Sequence, residues 1–180
     1  MFCDPLELPD EVVAAQEQGR LVIFAGAGVS MGPPSNLPGF GDLAAGIVKN
    51  TKHSVRKPYD EFLGDMVSDG VLVHQLCHEI IAKPGSVHSP IHTDLLRLFR
   101  AKERVRVVTT NFDPHFLGAA GALGWTVPVY NAPALPLGHD FAGIVHLHGS
   151  IHDEPRRLVL TDADFGQSYL TDAWASTFLR

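Results

Sequence analysis

The chain has 180 residues, enough for one globular domain that buries roughly 70% of the surface its unfolded form would expose. Apolar residues make up 45% and charged residues 19%, which excludes disordered and low-complexity compositions. A formal charge of −6 excludes the basic footprint of a duplex-binding surface, and no apolar run reaches the roughly 18 residues a membrane span needs.

Pro9-Asp10-Glu11, followed by Val12 to Ala15, predicts a first helix that Gly19 stops. Leu21-Val22-Ile23-Phe24-Ala25 is a short continuous apolar run, which reads as a strand buried on both faces. The Pro-rich stretch from Gly32 to Leu43 reads as a lid loop. From Pro58 to about Phe99, apolar residues fall at helical spacing and predict three helices.

Val105 to Thr110 predicts a second strand, ending at Asn111. Asp113-Pro114 then opens a helix closed by Gly124. Strands follow at Thr126 to Tyr130 and Ile144 to Leu147, with a fifth at Leu158 to Thr161, and Asp162 onward reads as helix to the last residue. This alternation predicts one α/β domain over residues 1–180: a Rossmann-like parallel sheet with helices on both faces and a helical insertion after the first strand. The last helix has no stop signal, so the chain reads as the N-terminal part of a longer protein.

Two cysteines, Cys3 and Cys77, are too few for a disulfide framework or a four-cysteine zinc site, and the acidic N-terminus is unlike a secretory leader. A cytoplasmic, soluble protein fits both features. His74 and His78 beside Cys77, and His88 with His92, have helical spacing but no His-Glu-x-x-His pattern, so no bound metal is expected. His92 is expected to pack or to cap.

Gly26-Ala27-Gly28-Val29-Ser30 stands at the carboxyl end of the first strand, where open α/β sheets bind ligands. Glycines at 26 and 28 let backbone N–H groups approach a pyrophosphate, and the Ser30 hydroxyl adds a donor; the same run could also be a bare turn. A dinucleotide fingerprint would have glycine at 31, where this chain has Met31. Asn111 could orient a water or cap the following helix, and His148 is a base candidate because imidazole titrates near neutrality, with His146 as the neighbouring alternative.

Three motifs in order resemble the sirtuin-like family of NAD-consuming domains: Gly26-Ala27-Gly28-Val29-Ser30, Thr109-Thr110-Asn111-Phe112-Asp113 and His148-Gly149. Pro90-Ile91-His92 with Leu95 and Leu96 is similar to the helix preceding the family's second motif, and the match spans roughly residues 10 to 150. The resemblance implies NAD as substrate, with Asn111 and His148 catalytic and with Gly26, Ala27, Gly28, Ser30, Phe40, Thr110, Asp113 and Gly149 binding the nucleotide. It places Asp113 on the nicotinamide carboxamide and Phe40 over the ribose.

The family's deacylases carry Asp-Phe-Arg in the lid and a four-cysteine zinc module after His-Gly. Here the lid reads Gly39-Phe40-Gly41, and the dozen or so residues after Gly149 hold no cysteine. The chain therefore resembles the zinc-free bacterial branch, NAD hydrolases of antiviral defence that yield nicotinamide and ADP-ribose. That branch implies self-association or a sensor module such as an Argonaute-like protein or an ATPase. An NAD-dependent lysine deacylase and a non-catalytic NAD or ADP-ribose-binding domain are the alternatives.

Overall fold

The computed structural model describes residues 9–49, 51–138 and 140–180. Cys3 and the acidic N-terminus lie outside them. Four parallel strands, β1 (Ile23–Ala25), β2 (Arg106–Thr109), β3 (Val129–Asn131) and β4 (Gly143–His146), form one sheet in the order β1-β2-β4-β3. In register, Ile23, Phe24 and Ala25 face Val107, Val108 and Thr109, and Val107, Val108 and Thr109 face Ile144, Val145 and His146.

Alternate residues of these strands feed opposite layers, as the pleat requires. Val107 and Ile144 pack with Leu96, Phe99, Phe116, Ala119 and Ala120 beneath α6 (Pro90–Arg97) and α7 (His115–Ala122). Val108 and Val145 pack with Phe141, Ala175 and Phe178, the last two from α9 (Trp174–Phe178). Helices thus cover both faces of β2 and β4, whereas Phe24 of β1 is 58% exposed, so the first strand is not buried on both faces as its apolar run suggests. Each fully buried aliphatic side chain contributes about 1.5–3 kcal/mol.

α1 (Asp10–Glu17) precedes β1, and the insertion after β1, which opens with the one-turn α2 (Gly28–Met31), has its own core. Leu43, Ala44 and Ile47 of α3 (Phe40–Val48) meet Phe62, Leu63 and Met66 of α4 (Tyr59–Ser68) and Val73, Cys77 and Ile81 of α5 (Val73–Ile81). Phe112, Leu158 and Leu160 close it against the end of the sheet. Within the expected lid loop, therefore, Phe40 already begins a helix. Apolar residues at 40, 43, 44 and 47 set its period, and Gly41 and Gly46 mask it in propensity terms. Gly46 lies against α5, where a Cβ would lie 3.0 Å from Ile80 Cδ1.

Other boundaries also shift. The fifth strand is absent: Leu158 and Leu160 point into the insertion core and Val159 N–H donates to His148 O at 3.0 Å, a single bond rather than a ladder. The C-terminal segment is three pieces, α8 (Asp162–Gly166), a π turn (Gln167–Thr171) and α9, interrupted where Ala173 takes φ +54. α7 starts at His115, one residue after Pro114, because Asp113 Oδ1 accepts the His115 N–H at 3.1 Å. Among the described residues no helix is long and apolar enough to cross a membrane.

Candidate active site at the carboxyl edge of the sheet

Parallel strands bring their carboxyl ends to one edge, so the residues after β1, β2 and β4 become neighbours there. A cavity of about 220 Å³ opens at that edge. Its wall includes Ala27, Ser30, Phe40, Thr110, Asn111, Asp113 and His148. It also includes Leu37, Leu43, Ile81, Phe112, Val159 and Phe165, an apolar lining that the sequence motifs did not reveal. At this size it is below the about 300–1,000 Å³ of pockets that hold a whole ligand.

Thr109 sets the turn that carries Asn111. Its Oγ1 donates to Ala25 O at 3.0 Å and accepts the Asn111 N–H at 3.0 Å. Asn111 O accepts from His146 Nδ1 at 3.0 Å, so His146 braces the loop from below and has no place in the cavity wall. Burial lowers the His146 pKa, with its bond to Asn111 opposing, so the ring is neutral at pH 7. The side chain of Asn111 does not cap α7; Asp113 does so.

His148 departs from the expectation that it titrates near neutrality. Its Nε2 lies 2.9 Å from Tyr169 Oη, its ring stands edge-on to Phe165 with centroids 5.2 Å apart, and desolvation by burial brings its pKa down to about 4. It is a neutral imidazole at pH 7. Tyr169, its partner, belongs to the π turn, an element that recurs at functional sites. No sequence signal linked the two.

The glycines divide. Gly26 and Gly28 are exposed on either side of Ala27, and a Cβ on Gly28 would meet nothing within 4 Å. Gly149 does not line the cavity; its φ is +88, and a Cβ would lie 2.9 Å from Arg157 O, so glycine is needed there by the backbone. Gly41 leaves room for the Tyr59 hydroxyl, which a Cβ would approach to 2.9 Å, while Tyr59 stands edge-on to Phe40. The Gly39-Phe40-Gly41 form of the lid thus has one packing cause, at Gly41.

The loop before Phe40 is tied down. Ser35, fully buried, donates to Val87 O at 2.8 Å, and Ser86 Oγ donates to Ser35 O at 2.7 Å. His115 Nε2 donates to Ser86 Oγ at 2.9 Å, and His115 Nδ1 is 3.9 Å from Asp113 Oδ1, beyond hydrogen-bond reach. This Ser-His-Asp grouping is a brace rather than an activated nucleophile, because the serine proton is already committed to a carbonyl.

The histidines with metal-like spacing are engaged elsewhere. His74 Nε2 bonds Asp164 Oδ2 at 2.8 Å and His78 Nε2 donates to Ile151 O at 2.8 Å. The Cys77 thiol is buried, which pushes its pKa up to about 12. Among the described residues no group of three or more His, Cys, Asp or Glu is placed to hold a metal ion.

A parallel α/β sheet with a cavity at its carboxyl edge, walled by residues from the ends of three strands, defines a Rossmann-like fold. Residues 105–180 match the family model described as a SIR2-like domain, so this segment is similar to that family. Members of that family are in general NAD-dependent enzymes. The matched segment contains Asn111, Asp113 and His148, while the Gly26-Ala27-Gly28 turn precedes it. An uncharacterized protein of Sinorhizobium fredii (strain NBRC 101917 / NGR234), y4cA, is 32% identical over 202 residues. The chain spans 16% of that relative's length, and the alignment covers 96% of this chain.

Proposed function

We propose that this domain is an NAD glycohydrolase, which uses one water to split the nicotinamide–ribose bond and releases nicotinamide, ADP-ribose and a proton. One observation carries the reading: Ser30, Asn111, Asp113 and His148, from three strand ends, meet in one largely apolar cavity. Nicotinamide leaves as a neutral ring, so no acid is needed. The transition state has oxocarbenium character at the sugar, as in glycoside cleavage. The buried Asp113 carboxylate is the charge that favours such a cation, and the described wall contains no Lys or Arg to oppose it.

Asn111 places the water or a ribose hydroxyl, and Ser30 adds a donor. His148 accepts the proton after attack. Its low basicity suffices, because a protonated hemiacetal is a far stronger acid than an imidazolium with a pKa of about 4. Phe40, an exposed residue of the cavity wall that stands edge-on to Tyr59, covers the sugar. The open space above Gly28 leaves room for the pyrophosphate outside the cavity.

Within this reading the domain is a cytoplasmic NAD-consuming effector of antiviral defence, switched on by self-association or by a sensor module. The lid form and the cysteine-free stretch after Gly149 support that branch over a lysine deacylase. The test is nicotinamide release from NAD by the purified protein without any acylated peptide. Turnover that falls at least about 100-fold in Asn111→Ala and in His148→Ala is expected. NAD left intact for hours, turnover that needs an acyl-peptide, or full activity in both variants would overturn the proposal.

A further inference from the structure

We propose that His115, which has no place in the cavity wall, is a positioning residue: its ring is held so that a lone pair, not a proton, faces Asp113, and the carboxylate keeps its charge for the cavity. The inference rests on the reading of Asp113 as the charge beside the sugar, and it starts from an acceptor that has no choice. Ser35 O is a carbonyl and can only accept, so the Ser86 hydroxyl gives its one proton to it at 2.7 Å. Ser86 Oγ is then the acceptor for His115 Nε2, 2.9 Å away, and the neutral ring carries its proton on Nε2. Nδ1 is left with its lone pair, 3.9 Å from Asp113 Oδ1.

Asp113 is fixed from the backbone instead. Its Oδ1 accepts the His115 N–H at 3.1 Å, at the start of α7, where a carboxylate is favoured. Its Oδ2 has no protein partner among the described residues, and the residue lines the cavity. The opposite tautomer would turn an Nδ1–H on Asp113, close the 3.9 Å gap to a charge-assisted bond and draw the negative charge away from the sugar. The clasp that prevents this reaches back to the loop before Phe40, because Ser35 also donates to Val87 O at 2.8 Å. One chain of bonds therefore sets both that loop and the ring beside the carboxylate.

The ring has little freedom. His115 is buried, and His92 stands edge-on to it with centroids 5.5 Å apart. His92 itself is fully buried and caps α6, its Nδ1 accepting the Ser89 N–H at 3.1 Å. Burial lowers the His115 pKa, with Asp113 opposing and His88 assisting, so the ring stays singly protonated at pH 7. The sequence sets Asp113 and His115 two residues apart, but nothing in it links His115 to Ser86, 29 residues earlier, or Ser86 to Ser35, 51 residues earlier still.

Two measurements test the inference. Long-range 1H–15N correlation on histidine-labelled wild-type protein reads the His115 tautomer without any nucleotide. The Nε2–H form is expected, and the Nδ1–H form or a cation at pH 7 overturns the proposal. His115→Gln keeps a donor where Nε2 reaches Ser86, whereas His115→Asn moves the donor to the Nδ1 position, towards Asp113. The asparagine variant is expected to lose at least about 10-fold in kcat with KM changed much less, and the glutamine variant to keep most of the wild-type value. Equal kcat in the two folded variants overturns the proposal. A wild-type protein that leaves NAD intact sinks the hydrolase reading instead, and the tautomer decides the assignment of His115 apart from it.

Discussion

Gly149→Ala tests whether the turn behind His148 is set by backbone geometry. Position 149 has φ +88, where an L side chain costs about 1–2 kcal/mol, and the new methyl would sit 2.9 Å from Arg157 O, an overpacking contact of about 1–3 kcal/mol. The two combine to about 3 kcal/mol, a large part of the roughly 5–15 kcal/mol that holds a domain together. Val159 N–H bonds His148 O next to this contact, so a shift at 157 also moves a cavity wall. Urea unfolding should show the loss directly, with the thermal midpoint lower by roughly 6–12 °C. Gly28→Ala is the control: its Cβ meets nothing within 4 Å, so stability should hold or rise while nucleotide binding weakens. Equal stabilities of the two variants would refute the reasoning.

Three further outcomes are expected. Burial depresses the His148 pKa from 6.5 to about 4, so the unfolded chain binds a proton that the folded chain refuses between those values. Stability therefore falls as pH drops through that window, and His148→Gln should flatten the slope by up to about 3 kcal/mol in urea titrations at pH 7 and pH 4.5. Tyr169→Phe removes the hydroxyl 2.9 Å from His148 Nε2 and should cost about 1 kcal/mol of stability, with turnover, measured as nicotinamide release, reduced more than binding. Leu96→Ala empties a fully buried position between α6 and the sheet and should cost about 2–5 kcal/mol by the same unfolding assay, leaving the cavity wall intact.

Much of the candidate site was legible because the topology makes strand ends converge. Once Ala25, Thr109 and His146 end parallel strands of one sheet, the residues after them share an edge, and the motifs needed no tertiary knowledge to be grouped. What lay hidden depended on packing or on ionisation. The basicity of His148 is set by burial and Tyr169, both invisible at the level of a His-Gly pair. α3 was obscured by Gly41 and Gly46, which tertiary contacts with Tyr59 and Ile80 explain. Leu158 to Leu160 has the composition of a strand, but its neighbours are helices of the insertion, and composition cannot say which partner is adjacent.

The cavity wall is assembled from stretches as far apart as Ala27 and Phe165, so no fragment of the domain could hold an occupant by itself. Anything that seats there recognises the native chain alone and acts as a clasp between the sheet and the inserted helices. At a hundredfold excess over Kd such an occupant adds about 2.7 kcal/mol to the unfolding free energy. If, as proposed, the occupant is a nucleotide and the domain consumes it, depletion of that nucleotide also withdraws the clasp, and substrate supply and the lifetime of the folded protein become a single variable.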